Sequence, residues 1–219
     1  MSDPVAGPRR FITFEGGEGA GKSTQVELLA GRLRAYGNEV VTTREPGGSP
    51  EAEKLRDIIL SGQAKDFGAF AETALFSAAR IDHLRTTIEP ALARGEWVVC
   101  DRFLDSTRAY QGALGNLDPR IVRALERVVV GETMPGLTLI LDLAPEEGLR
   151  RARMRSRGNQ PDRFEAEEIE YHRSLRQAFL DIAASEPDRI RVIDGGNTAD
   201  RVADAVWTHI AARYGLEGA

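Results

Sequence analysis

The chain has 219 residues, 42% hydrophobic and 29% charged, a balance that excludes collagen, coiled coil and intrinsic disorder and suits one domain with a large core. Its 29 basic and 34 acidic residues leave a net charge of -5, which argues against nucleic acid as a partner, since such binders carry a basic excess. A single cysteine, Cys100, rules out a disulfide framework and fits a reducing cytosol; with no apolar leader or membrane-length run, a cytoplasmic protein without a membrane partner is expected.

Residues 1–9 are expected to be a disordered tail and residues 10–219 one domain. Short apolar, β-branched runs then alternate with segments of helical period. Phe11 to Phe14 reads as a strand, followed by a glycine-rich turn and a helix from Lys22 to Tyr36 that stops at Gly37. Glu39 to Thr43 is a second strand. Ser49-Pro50-Glu51 has the form of a helix start, with Ser49 as N-cap. A helical stretch from Phe70 to Ala93 leads into Trp97–Asp101, a strand without alternation and hence buried on both faces. Asp118-Pro119 opens another helix. Leu137 to Leu143 is a fourth strand, Ala144-Pro145-Glu146-Glu147 starts the helix after it, Arg189 to Asp194 is a fifth strand, and the last helix runs from Thr198 to Tyr214.

Strands that each lead into a helix imply an α/β fold: a five-stranded parallel sheet flanked by helices on both faces. Ligands of such sheets sit beyond the carboxyl ends of the strands. Those ends are Gly16–Gly21, Arg44–Gly48, Asp101–Arg102, Asp142 and Asp194–Gly195.

The first end carries Gly16, Gly17, Glu18, Gly19, Ala20, Gly21, Lys22 and Ser23, which match G-x-x-x-x-G-K-[ST] between a strand and a helix, with Thr24 next to them. Glycines let backbone N–H groups turn inward on the phosphates of a nucleoside triphosphate, and the helix N-terminus adds positive charge. Lys22 would bridge the terminal phosphates and Ser23 would ligate Mg²⁺. Glu18 is out of character there, because a carboxylate aimed at polyphosphate is repelled; it must face away or bind something else. Asp101, at the tip of a buried strand, suits the Mg²⁺ shell, and Arg102 suits a bidentate grip on a phosphate.

Between Arg150 and Arg163 lie six arginines and one acid, interrupted by Gly158-Asn-Gln-Pro161. The run reads either as a solvated helix face or as an arginine-rich lid over about 150–164, in which Arg153, Arg157 and Arg163 are candidates to stabilise a transferring phosphoryl group. Leu60-Ser-Gly-Gln63 lacks a glycine of the transporter-ATPase signature and reads as a helix end. No Asn-Lys-x-Asp guanine box is present, and His83, His172 and His209 form no zinc pattern.

From Arg10 to Tyr214 the chain resembles the bacterial thymidylate kinases, P-loop nucleoside monophosphate kinases. The resemblance rests on Phe14-Glu-Gly-Gly-Glu-Gly-Ala-Gly-Lys-Ser-Thr24, Thr43-Arg-Glu-Pro-Gly-Gly48, Leu75-Phe-Ser-Ala-Ala-Arg80, Asp101-Arg102-Phe103, Ser106-Thr-Arg-Ala-Tyr-Gln-Gly112 and Asp162-Arg163-Phe164. It implies ATP-dependent phosphorylation of dTMP to dTDP, on the way to dTTP, by a homodimer packed through helices. It also implies that Phe76 stacks on thymine and Arg80 bonds a base carbonyl. Thr107 and Gln111 would complete the pyrimidine edge, and Tyr110 would pack on the deoxyribose. Arg56 and Arg102 would hold the monophosphate, Glu18 would contact the acceptor nucleotide, and Pro46, in a candidate cis bond with Glu45, would lie near the base. Phe103 departs from the tyrosine of many members. A kinase for another deoxynucleoside monophosphate, and a P-loop regulatory module without turnover, are the alternatives.

Overall fold

A computed structural model of the chain describes residues 8–155, 164 and 167–216. Five parallel strands form one sheet: β1 (Phe11–Glu15), β2 (Val40–Arg44), β3 (Trp97–Asp101), β4 (Leu137–Asp142) and β5 (Ile190–Asp194). Their order is β2-β3-β1-β4-β5. Ile12 pairs with Val99 on one side and with Leu137 on the other. Connections after β1 run to one side of it and the chain then crosses to the other, so the ends of β1 and β3 border the switch-point crevice where α/β sheets bind ligands.

The central strands lack polar alternation because each face meets helices. Ile12, Phe14, Val99, Leu139 and Leu141 pack with α1 (Lys22–Ala35) and α9 (Ala199–Tyr214). Phe11, Val98, Cys100 and Ile140 face the opposite layer. Burying one such side chain contributes about 1.5–3 kcal/mol, so these alternating residues fix the two-layer wrapping. Thr13 and Thr138 sit in neighbouring strands of that second face and satisfy each other at 2.7 Å.

The α1 end follows from Gly37, whose φ of 77° lets Asn38 N–H return to the Leu33 carbonyl at 3.2 Å. α2 (Pro50–Leu60) begins where Ser49 and Pro50 predict, but Ser49 makes no side-chain cap. Its hydroxyl donates to Asp82, and the same carboxylate accepts from Ala52 N–H. Leu60 closes α2, as read from the sequence.

The expected Phe70–Ala93 helix is three pieces: α3 (Gly68–His83), a π-helical segment Leu84–Ile88, and α4 (Glu89–Ala93). Pro90, lacking an N–H donor, sits in the first turn of α4, directly after the π-helical segment. A short α5 (Leu104–Thr107) leads into a second π-helical segment, Arg108–Leu114. α6 (Pro119–Val129) is capped by Asp118, which accepts from Arg120 N–H at 2.8 Å. α7 (Pro145–Arg155) and α8 (Ile169–Ser185) flank the segment expected to form the lid. Of the expected tail, residues 1–7 lie outside the described ones, while the Arg9 carbonyl accepts from the Tyr214 hydroxyl at 2.7 Å. Among the described residues no helix is long and apolar enough to cross a membrane.

Candidate active site

The loop after β1 can turn as it does only with glycine at three places. Gly16, Gly19 and Gly21 have φ of 131°, 67° and 93°. A Cβ on Gly19 would stand 1.9 Å from the Gly148 carbonyl oxygen, and one on Gly148 would stand 2.3 Å from that of Glu18. The phosphate loop is thereby seated, backbone against backbone, on α7. Gly148 is a residue the sequence reading missed.

Lys22 is buried, and its ammonium donates to the Gly16 and Gly17 carbonyls at 3.1 and 2.8 Å. Burial and the nearby Arg102 charge push its pKa down, while Glu18, Asp101 and Glu15 act in the other direction. Ser23 and Thr24 are exposed at the loop's mouth, and Ser23 Oγ donates to Asp101 Oδ2 at 2.5 Å. Ala20 is buried under the loop.

Arg102 takes a left-handed conformation with φ of 69°, which costs a non-glycine residue about 1–3 kcal/mol. Its neighbours hold it there. Arg102 N–H donates to the Phe14 carbonyl at 2.8 Å, and Phe103 N–H to the Glu15 carboxylate at 2.8 Å. The turn throws the guanidinium onto the phosphate loop, where it donates to Gly16 O at 3.1 Å and Glu18 Oε1 at 2.5 Å. Glu18 is thereby paired with a guanidinium, which offsets the charge that would repel a phosphate. Burial would raise its pKa, but Arg102, Lys22 and a 3.0 Å bond from the Tyr110 hydroxyl bring it down to about 2.

Beneath Arg102 lies Glu15, fully buried and also bonded by Ser106. Burial and the Asp105 charge raise it to about 7 against the pull of Ser106, Arg102 and Phe103 N–H. Sequence reading stopped the strand at Phe14 and missed this residue. Its signal was a carboxylate ending an otherwise apolar strand.

A cleft extends from the loop, lined by Glu18, Ser23, Pro46, Arg56, Phe76, Arg80, Asp101, Arg102, Phe103, Tyr110 and Gln111, among others. All but one of the expected acceptor contacts therefore line the cleft beside the loop; Arg56 is held by the Pro46 carbonyl at 2.5 Å, and Glu45–Pro46 is cis. Thr107 is the exception: it is buried behind Arg80 and accepts from Arg80 Nη2 at 3.1 Å instead of lining the cleft. Phe103 offers only carbon, packed edge-on against Phe11 with the Arg80 guanidinium 5.0 Å over its ring. The π-helical segment brings Tyr110 and Gln111 to the cleft together, and both are buried.

Of the lid candidates, Arg153 is exposed on α7, whereas Arg157 and Arg163 lie outside the described residues. Arg150 and Arg151 are paired with Glu147, each at 2.7 Å. At the other strand ends, Asp142 is engaged by Arg176 at 2.6 Å, and the Asp194 carboxylate accepts from Gly196 N–H.

Hard oxygen donors stand at the loop's mouth, Ser23 Oγ and the Asp101 carboxylate, and among the described residues no cluster of three or more His, Cys, Asp or Glu could hold a metal alone. That set fits Mg²⁺, which is bound through one or two protein oxygens together with substrate phosphates.

A family model described as thymidylate kinase matches residues 14–206. The chain is 55% identical over 204 residues to a thymidylate kinase of Nitrobacter hamburgensis, covering 93% of this chain and 89% of that one. Against a thymidylate kinase of Bradyrhizobium diazoefficiens the identity is 54% over 217 residues, covering 97% and 95%. The crystal structure of thymidylate kinase from Ehrlichia chaffeensis superposes with a TM-score of 0.73 at 34% identity, covering 91% of this chain and 97% of that one. With the phosphate loop, the sheet order and this likeness in agreement over nearly the whole length, the chain belongs to the thymidylate kinase family.

Proposed function

We propose that the protein transfers the γ-phosphoryl group of ATP to dTMP, giving ADP and dTDP, with the residues of this cleft dividing the work. One observation carries the reading: Glu18 and Arg102 line both the mouth of the phosphate loop and the adjoining cleft, so donor and acceptor phosphates share one wall. An oxygen of the acceptor phosphate attacks the γ-phosphorus as its bond to the β-bridging oxygen breaks, and catalysis is a matter of position and charge. The loop N–H groups and Lys22 hold the donor phosphates. Arg102 and Arg56 hold the acceptor phosphate. Phe76 stacks on the thymine, with Pro46, Arg80 and Gln111 around its edge, Thr107 behind Arg80, and Tyr110 and Glu18 beside the sugar.

Ser23 and Asp101 are the residues that would hold Mg²⁺, which when bound neutralises charge on the β- and γ-phosphates. Arg153, Arg157 and Arg163 are the lid arginines available to the transferring group. Exposed apolar side chains, Phe67 and Phe70 where α3 begins and Val128 on neighbouring α6, provide a face for a homodimer. Sedimentation at micromolar concentration should then show twice the 24.0 kDa chain mass. The setting is the cytoplasm, which a lone buried thiol fits.

The direct assay incubates the purified protein with ATP, MgCl₂ and dTMP and follows dTDP and ADP by chromatography. Equal amounts of both are expected. ADP formed without dTDP would reject the acceptor, and neither product would favour the regulatory-module alternative.

A further inference from the structure

Glu45 and His83 lie outside the phosphate machinery, yet both are buried and both are tied to the base end of the cleft. The Glu45 carboxylate accepts from Arg80 Nε at 2.8 Å through one oxygen and pairs with His83 Nδ1 at 3.0 Å through the other. A carboxylate only accepts, so Nδ1 carries the proton. On its far edge, His83 Nε2 meets Thr43 Oγ1 at 2.6 Å. Gly48 closes on the same edge, where a Cβ would stand 2.4 Å from Nε2. The distinctive Thr43-Arg-Glu-Pro-Gly-Gly48 segment therefore builds the seat of a histidine on α3.

The consequence falls on Arg80. Its Nε is committed to Glu45 and its Nη2 to Thr107, and only 3% of the residue is exposed. Nη1 has no hydrogen bond to a described residue, and Arg80 lines the cleft. A guanidinium carries donors and no acceptor. One held on two sides presents its remaining donor in a fixed direction. Such a donor rewards a carbonyl and penalises an amino group. Thymine has a carbonyl at position 4 and cytosine has an amino group there.

We propose that Glu45 and His83 are positioning residues for acceptor choice: they lock Arg80 so that the cleft takes a pyrimidine with a 4-carbonyl and rejects one with a 4-amino group. The proposal rests on the dTMP reading above. A site built around fixed polar partners can discriminate by 10⁴–10⁵, whereas an arginine free to swing aside cannot.

The test measures kcat/KM for dTMP and dCMP on the wild-type protein and on Thr43→Val, His83→Ala, His83→Asn and Glu45→Gln. The wild type should favour dTMP by more than about a hundredfold. His83→Ala and Glu45→Gln should each lose at least about tenfold of that ratio, chiefly through a higher KM for dTMP, with the KM for ATP within about twofold. His83→Asn, whose amide can donate to Glu45 in place of Nδ1, should keep most of the ratio. Thr43→Val, close in shape and one link removed, guards against misfolding in the other variants and should lose a smaller share. A merely structural role lowers both acceptors in proportion and leaves the ratio alone. Unchanged ratios in variants that melt cooperatively would overturn the proposal while sparing the acceptor reading. A wild type with no preference for dTMP over dCMP would overturn both.

Discussion

The phosphate half of the cleft and the half proposed to hold the base are built in different ways. The phosphate half comes almost entirely from residues 16–24, whose path is dictated by glycines and a helix start, with Asp101 and Arg102 added at the next strand end. The base half draws Pro46, Phe76, Arg80 and Gln111 from three separate stretches, and its buried Glu45–Arg80 pair joins residues 35 apart in sequence. A site made by local backbone geometry can be read from a short motif. One assembled by side chains across elements needs the fold first. The two halves should also fail differently when altered: the first in kcat, the second in the KM and choice of acceptor.

The largest effect is expected from Lys22→Ala. Preorganised positive charge at the phosphates supplies much of the catalysis, so kcat should fall by at least about 10²–10³. The fold should survive, because among the described residues the lost ammonium donates only to the loop's own carbonyls. Single-turnover rates beside a melting curve check this, and more than about a tenth of wild-type turnover would refute the role given to Lys22.

Next comes Gly19→Ala, which attacks the seat of the loop and spares its charges. The added methyl meets the Gly148 carbonyl oxygen at 1.9 Å, at a φ of 67°. Overpacking of this kind costs about 1–3 kcal/mol, so Tm should drop by roughly 2–12 °C and kcat should fall with it. An unchanged Tm with full activity would show that α7 does not brace the loop.

Phe76→Ala sharpens the contrast from the base side. Aromatic stacking on a base is worth about 1–3 kcal/mol, so KM for dTMP should rise by about 5–150-fold while KM for ATP stays within about twofold. Initial rates with each substrate varied in turn would show it; a rise confined to ATP would exchange the roles of the two halves.

Glu15→Gln gives the smallest effect and reports on what lies under both halves. The carboxyl is held at about 7 in the folded protein against an ordinary 4.5. Its stabilising contribution is therefore full below about 4.5 and is lost as pH rises through 7, where the native state must bury a charge. A permanently neutral Gln avoids that cost. The variant's Tm relative to wild type should be a few degrees higher at pH 8 than at pH 5. A difference that does not move with pH would mean that Arg102 and Ser106 hold Glu15 ionised throughout.

Much of the sheet was legible because each strand is an apolar run between glycine-containing or charged turns; β3 matches its expected limits, and the last strand and helix shift by a residue. The segments with π geometry were not, since each is short and continuous with an α-helix, so its residues read as ordinary helix. α8 was not foreseen because it emerges from a run of arginines and glutamates whose charge hides its buried side, Leu175 and Phe179. In the site, the glycines, Lys22 and Ser23 were legible from spacing. The partner of Glu18 was not: that Arg102 reaches it depends on a left-handed turn 84 residues away, held by Glu15. His83 was weighed only as a zinc ligand, and only the packed structure reveals its bond to Glu45.

The central claim is that one wall joins an ATP phosphate loop to a pocket for thymine, and a panel of acceptors tests it most directly. Steady-state kcat/KM should be measured with ATP and, in turn, dTMP, dUMP, dAMP and dGMP. One methyl group is worth about 1–3 kcal/mol in an apolar pocket, so dUMP should be a poor but detectable substrate, about 5–150-fold below dTMP. The purine nucleotides should be nearly inert, because a fused bicyclic base needs more room beside Phe76 than a pyrimidine does. Comparable values for dAMP and dTMP would contradict the account.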